Sequence, residues 1–105
     1  MEVTGFRTPL LELLVYVQAN LGEDLSLCAL ARHVGWSPSH VHRVLRQALG
    51  ETPRGYVERL RLDRAAFRLL VQDGSLLAVA LECGFHSHAA FTRAFRRRFG
   101  TTPAA

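Results

Sequence analysis

Arg43 and Arg46 sit behind Ser37, Ser39, His40 and His42 in the segment SPSHVHRVLRQALGETP, residues 37–53. Fifty positions later, SHAAFTRAFRRRFGTTP at 87–103 repeats the Ser, Arg, Arg, Gly, Thr and Pro of that segment in register. Guanidinium groups offer planar forks of donors that match phosphate oxygens and the O6 and N7 edge of guanine, while hydroxyls and imidazoles both donate and accept. Residues of these types, twice at one spacing, suit a polyanion that also carries readable hydrogen-bonding edges.

Composition narrows the class. The chain has 105 residues, 49% of them hydrophobic and 21% charged, which is enough for one modest globular domain. Its net charge is +4, and all 13 basic residues are Arg. GC-rich codon usage would produce the same bias, so placement matters more than the total. From Phe85 onward there are four Arg and no carboxylate. That stretch cannot neutralise itself and is expected to face a polyanion. Cys28 and Cys83 lie inside apolar helical patterns without paired spacing, and both are expected to be buried reduced thiols. No signal peptide or membrane span is expected, which points to a cytoplasmic, nucleoid-associated protein.

Helical punctuation must position these side chains. Thr8 and Pro9 read as N-cap and first residue of a helix with Leu10, Leu13, Leu14, Val17 and Leu21 facing in, ending near Asn20 to Gly22. Ser26 caps a short second helix that Gly35 breaks. Ser37 and Pro38 open a third, over about 38–49, with Val41, Val44, Leu45, Ala48 and Leu49 as its apolar stripe. Thr52 and Pro53 open the longest, about 53–72, with Val57, Leu60, Ala65, Leu69 and Leu70 inward and Asp73, Gly74 and Ser75 closing it. A fifth helix runs from about Leu76 to Cys83. Ser87 caps a sixth, over about 88–99, with Phe91, Ala94, Phe95 and Phe99 inward.

LARHVG and VALECG each place an alanine four residues before a turn glycine, Ala31 before Gly35 and Ala80 before Gly84. A small residue there permits close helix approach, and glycine accepts a positive φ in the turn. The expected fold is all-α: two helix-turn-helix subdomains, over 1–51 and 74–105, joined by a long linker helix over 52–73.

Opposite the apolar stripes lie Ser39, His42, Arg43 and Arg46 on the third helix and Ala89, Thr92, Arg93 and Arg96 on the sixth. Neither face contains the Glu or Lys that a solvated helix uses for pairing. Both faces are therefore expected to press on nucleic acid. Arg43 and Arg93 suit bidentate contacts to guanine; Ser39, His40, His42, His88 and Thr92 suit hydrogen bonds to bases; and Ala89 suits a thymine methyl. Arg46, Arg96 and Arg97 are expected on phosphate, with the helix starts at Ser37, Thr52, Ser87 and Thr102. A linker of about 20 residues at 1.5 Å rise spans about 30 Å, close to the 34 Å between successive major grooves. The partner expected is thus double-stranded DNA with an asymmetric operator, bound by a monomer and favoured when bent.

The segments LARHVGWSPSHVHRVLRQALGETPRGYVERLRLDRA and VALECGFHSHAAFTRAFRRRFGTTP resemble the DNA-binding domain of the AraC/XylS class of bacterial transcription regulators, over residues 8–103. The resemblance implies the same two-subdomain fold. It places base contacts on Ser39, His42 and Arg43, then on His88, Ala89, Thr92 and Arg93. It assigns fold-shaping positions to Gly35, Gly84, Phe85, Phe95, Phe99, Gly100 and Pro103, and the linker signature to Leu60, Arg61, Leu62 and Ala65. It also implies activation as the commoner outcome, with RNA polymerase as a partner. An effector-binding domain is expected, if anywhere, after Ala105. Three positions depart from the family: Ser39 and His42 stand where large or long polar residues are common, and Ala89 is short.

Other classes fit less well. The run CGFHSH offers Cys83, His86 and His88 as zinc ligands, with Cys28 as a fourth, yet Cys83 falls at the buried end of its helix and no second C-x-x-C exists. No metal or cofactor is expected. No nucleophile elbow, P-loop or converging carboxylate pair supports an enzyme. An all-helical protein interaction module would explain the amphipathic helices but not the two acid-free Arg faces.

Overall fold

A computed structural model of the chain describes residues 8–71 and 75–103. They form six helices: α1 (Pro9–Ala19), α2 (Leu27–Val34), α3 (Pro38–Leu49), α4 (Pro53–Val71), α5 (Leu76–Glu82) and α6 (His88–Phe99). No strand occurs among the described residues. Each start is fixed locally by a hydroxyl that accepts from a backbone N–H three residues on. Thr8 accepts from Leu11, Ser26 from Ala29, Ser37 from His40, Thr52 from Gly55, Ser75 from Ala78 and Ser87 from Ala90. Each such cap contributes about 1 kcal/mol. Ser75 therefore opens α5, whereas Asp73 and Gly74, expected to close α4, lie outside the described residues.

The chain divides into two compact units, one holding described residues 8–20 and 24–57, the other residues 21–23 and 58–103. In the first, α2 packs on both α1 and α3. Leu13, Val17, Leu30, Ala31, Val41 and Leu45 are buried there, as are Tyr56 and Val57 from the start of α4. The apolar stripe of α3 is narrower than its spacing suggests, because Ala48 is exposed. Cys28 is exposed as well, against the expectation of a buried thiol. The inward side of α2 is set by Leu30 and Ala31, and Cys28 lies off it.

In the second unit, Leu62 and Ala65 of α4, Val79 and Ala80 of α5, Cys83, and Phe91, Ala94 and Phe95 of α6 form one cluster, with Ala66, Leu69 and Phe85 packed against it. Burial pushes the Cys83 thiol up in pKa, opposed by the Arg68 guanidinium. Leu21, expected on the inward stripe of α1, belongs to this unit and is buried there. Leu70 was expected inward, yet it is 85% exposed. One stripe cannot describe α4, whose first turn serves one core and whose later turns serve another. Phe99, also expected inward, is 38% exposed at the last position of α6, its ring tilted on Phe95.

The two turns match hydrogen bond for hydrogen bond at their aromatic residue, with Trp36 N–H donating to Ala31 O at 3.1 Å and Phe85 N–H to Ala80 O at 2.9 Å. Ala31 and Ala80 are both buried beneath them. Both glycines have positive φ, 78° at Gly35 and 97° at Gly84. Their surroundings differ. A Cβ on Gly35 meets nothing within 4 Å, while one on Gly84 would come within 2.5 Å of both Arg61 Nε and Leu21 O. Arg61 holds that place by donating from Nε to Leu21 O and from Nη2 to Glu23 O, each at 2.9 Å. Gly35→Ala should therefore cost only the backbone penalty, roughly 1 kcal/mol. Gly84→Ala should cost roughly 1 to 3 kcal/mol more, because the Arg61 bracket must shift. Denaturant midpoints of the two variants test this, and equal losses would discount the bracket.

Candidate nucleic-acid interface

Two helices present the basic faces. α3 and α6 are each 12 residues long, each preceded by a Ser N-cap and each ended by a left-handed glycine, Gly50 at φ 72° and Gly100 at φ 76°. The terminal N–H of each glycine donates to an arginine carbonyl, Arg46 O or Arg96 O, at 2.9 Å. Local sequence thus builds one object twice. The inward face of each is apolar, and the expected contact residues fall elsewhere.

On α3, Ser39, His42, Arg43 and Arg46 are exposed and His40 is half-buried. Arg43 Nη2 lies 2.8 Å from His40 Nδ1, and the His40 ring meets Trp36 edge-on. On α6, His88, Ala89, Arg93 and Arg96 are exposed. Thr92 is half-buried, and its Oγ1 is covered with no hydrogen-bond partner among the described residues. A base could reach that hydroxyl only by uncovering it.

The arginines after Phe85 divide into two kinds. Among the described residues, Arg93 and Arg96 have no carboxylate partner. Arg97 instead donates to Glu58 at 3.1 Å, and Arg98 donates to Asp63 from both Nε and Nη2 at 2.9 Å. Half of a stretch without acids of its own is thus neutralised from α4. These pairs join residues 35 to 39 positions apart, which no spacing rule reveals.

Ser37 and Ser87 are exposed at their helix starts, and Thr52 and Thr102 are half-buried. Residues beyond Pro103 lie outside the description, so Thr102 has no described helix after it. Cys83 is sealed in the core while His86 and His88 are exposed; no group of three His, Cys, Asp or Glu that could hold a metal occurs among the described residues. No described helix is long and apolar enough to cross a membrane.

Two turn-linked pairs, α2 with α3 and α5 with α6, each offering one basic outer face, define together with α1 and α4 a double helix-turn-helix domain. A family model described as a helix-turn-helix domain matches residues 30–105. The chain belongs to the AraC/XylS family of transcription-regulator DNA-binding domains, which is not an enzyme family. It is 35% identical over 94 residues to the HTH-type transcriptional regulator ArgR of Pseudomonas aeruginosa, a match covering 90% of this chain and 29% of that protein. Over 93 residues it is 33% identical to the right origin-binding protein of Escherichia coli, covering 89% and 32%. The chain thus spans about a third of the length of these curated relatives. A crystal structure of a transcriptional regulator from Chromobacterium violaceum, with an AraC-type DNA-binding domain, superposes with TM-score 0.86 at 35% identity, covering 96% of this chain and 90% of that one. The DNA-binding domain of AdpA, solved in complex with a target DNA, superposes with TM-score 0.89 at 31% identity, covering 93% and 88%.

Proposed function

We propose that this chain is the sequence-reading part of a cytoplasmic transcription regulator, and that α3 and α6 enter successive major-groove segments of one asymmetric double-stranded site. The observation that carries the reading is the pair of equally capped helices whose outward faces bear Arg43 and Arg46, then Arg93 and Arg96, in the same register. Its kinship with a domain solved on target DNA supports it. Ser39, His42, Arg43, His88, Ala89, Thr92 and Arg93 read bases; Arg46 and Arg96, with the helix starts at Ser37, Thr52 and Ser87, hold phosphate. Arg97 and the Thr102 start add to that grip, Arg97 on exchanging Glu58 for phosphate. The linker helix α4 joins the two readers, the chain binds as a monomer, and the bound regulator activates by contacting RNA polymerase. An effector-binding domain, where one exists, belongs to a longer protein.

Selection from random duplexes tests the reading. The expected product is a site with two unlike boxes about one helical turn apart. Four to six neutralised phosphates would make affinity fall on the order of 10² to 10³-fold between about 50 and 200 mM salt. Failure to bind any duplex would favour a protein interaction module instead.

A further inference from the structure

His40 stands apart from its neighbours on α3. It is half-buried where Ser39, His42 and Arg43 are exposed. Its ring centroid lies 4.4 Å from that of Trp36 at an interplanar angle of 72°, and its Nδ1 lies 2.8 Å from Arg43 Nη2. Arginine has no acceptor, so in this contact Nδ1 accepts and the ring proton sits on Nε2. An indole braces the imidazole, and the imidazole holds the guanidinium. The second copy lacks this chain of contacts: fifty positions on, His40 is replaced by Ala90, and Arg93 has no partner among the described residues.

We propose that His40 is a positioning residue rather than a base contact: braced by Trp36, it presets Arg43 for one base pair. The inference rests on the reading of α3 as a base-reading helix. A held arginine has already given up the side-chain freedom that a free one loses on docking. His42 and Arg43 are the titratable and charged groups beside His40 on α3. The packed helix α2 brings Arg32 and His33, the latter stacked on Tyr16 of α1. Among the described residues, no carboxylate pairs with His40. The two readers are therefore unlike in mechanism, one preset and one free.

The test begins with the selected site and locates the base pair at which Arg43→Ala relaxes the preference, and likewise for Arg93→Ala. The quantity read is the ratio of affinities for preferred over substituted base pair. At the Arg43 position, His40→Ala should lower this ratio about 3 to 10-fold, the effect of one lost hydrogen bond. His40→Asn, whose amide oxygen can stand where Nδ1 stood, should keep the ratio within about twofold. At the Arg93 position, His40→Ala should leave the ratio unchanged, which also reports a folded variant. A wild-type chain that selects no sequence, or an Arg43→Ala that relaxes no position, overturns this inference together with base reading by α3. If Arg43→Ala relaxes a position but His40→Ala keeps its ratio there, only the role given to His40 falls.

Discussion

Phe91→Ala is expected to lower stability by about 3 to 5 kcal/mol, the range for truncating a large aromatic in a packed core. Phe91 is 0% exposed, and its ring meets Phe85 at 5.2 Å and Phe95 at 5.6 Å. It therefore joins the turn to the reading helix in the second unit. Shortening it leaves a cavity that the neighbouring helices can only partly close. Trp36, the single tryptophan, reports on the first unit, whereas far-UV circular dichroism reports on all the helices. The dichroism midpoint in denaturant should move to lower concentration, and an unchanged midpoint would remove Phe91 from the core. Fluorescence that keeps its own midpoint would show in addition that the two units unfold separately.

Arg43→Ala and Arg93→Ala should each lose about 1 to 3 kcal/mol of binding on the preferred site. The arginines lie in different units and share no partner, so the losses should add, to about 2 to 6 kcal/mol in the double variant. Direction matters more than size. Each single variant should relax the selected sequence at its own position and keep the other. Titration of the preferred duplex beside one substituted at each position checks this. Equal losses on random duplexes would instead mark these arginines as phosphate contacts.

Much of this was legible in the sequence wherever the determinant is local. Hydroxyl caps, glycine stops and the alanines under the turns act within four residues of themselves, so the boundaries of α1, α3 and α6 follow directly. The exposed faces of α3 and α6 follow from periodicity for the same reason, except at Thr92, which is half-buried with its hydroxyl covered. What was not legible depends on packing between distant segments. Leu70 and Leu69 are indistinguishable by residue type, and only the position of the second core exposes one and half-buries the other. Cys28 looks as apolar as its neighbours until α2 chooses the side it buries. The carboxylates facing Arg97 and Arg98 come from a helix more than thirty residues earlier. The hold of His40 on Arg43 had a local signal, a spacing of three on one helix, but spacing does not say whether a ring faces its neighbour or a base.

The ties of Arg97 to Glu58 and of Arg98 to Asp63 alter what a salt titration measures. These exposed contacts are themselves screened, so added electrolyte loosens them while it weakens attraction to DNA. An arginine freed in this way becomes available to phosphate as the electrolyte rises, partly offsetting the counterion term. The slope of log affinity against log salt should thus be shallower than a count of arginines on α6 implies, and its deficit measures how tightly α4 keeps those charges at home.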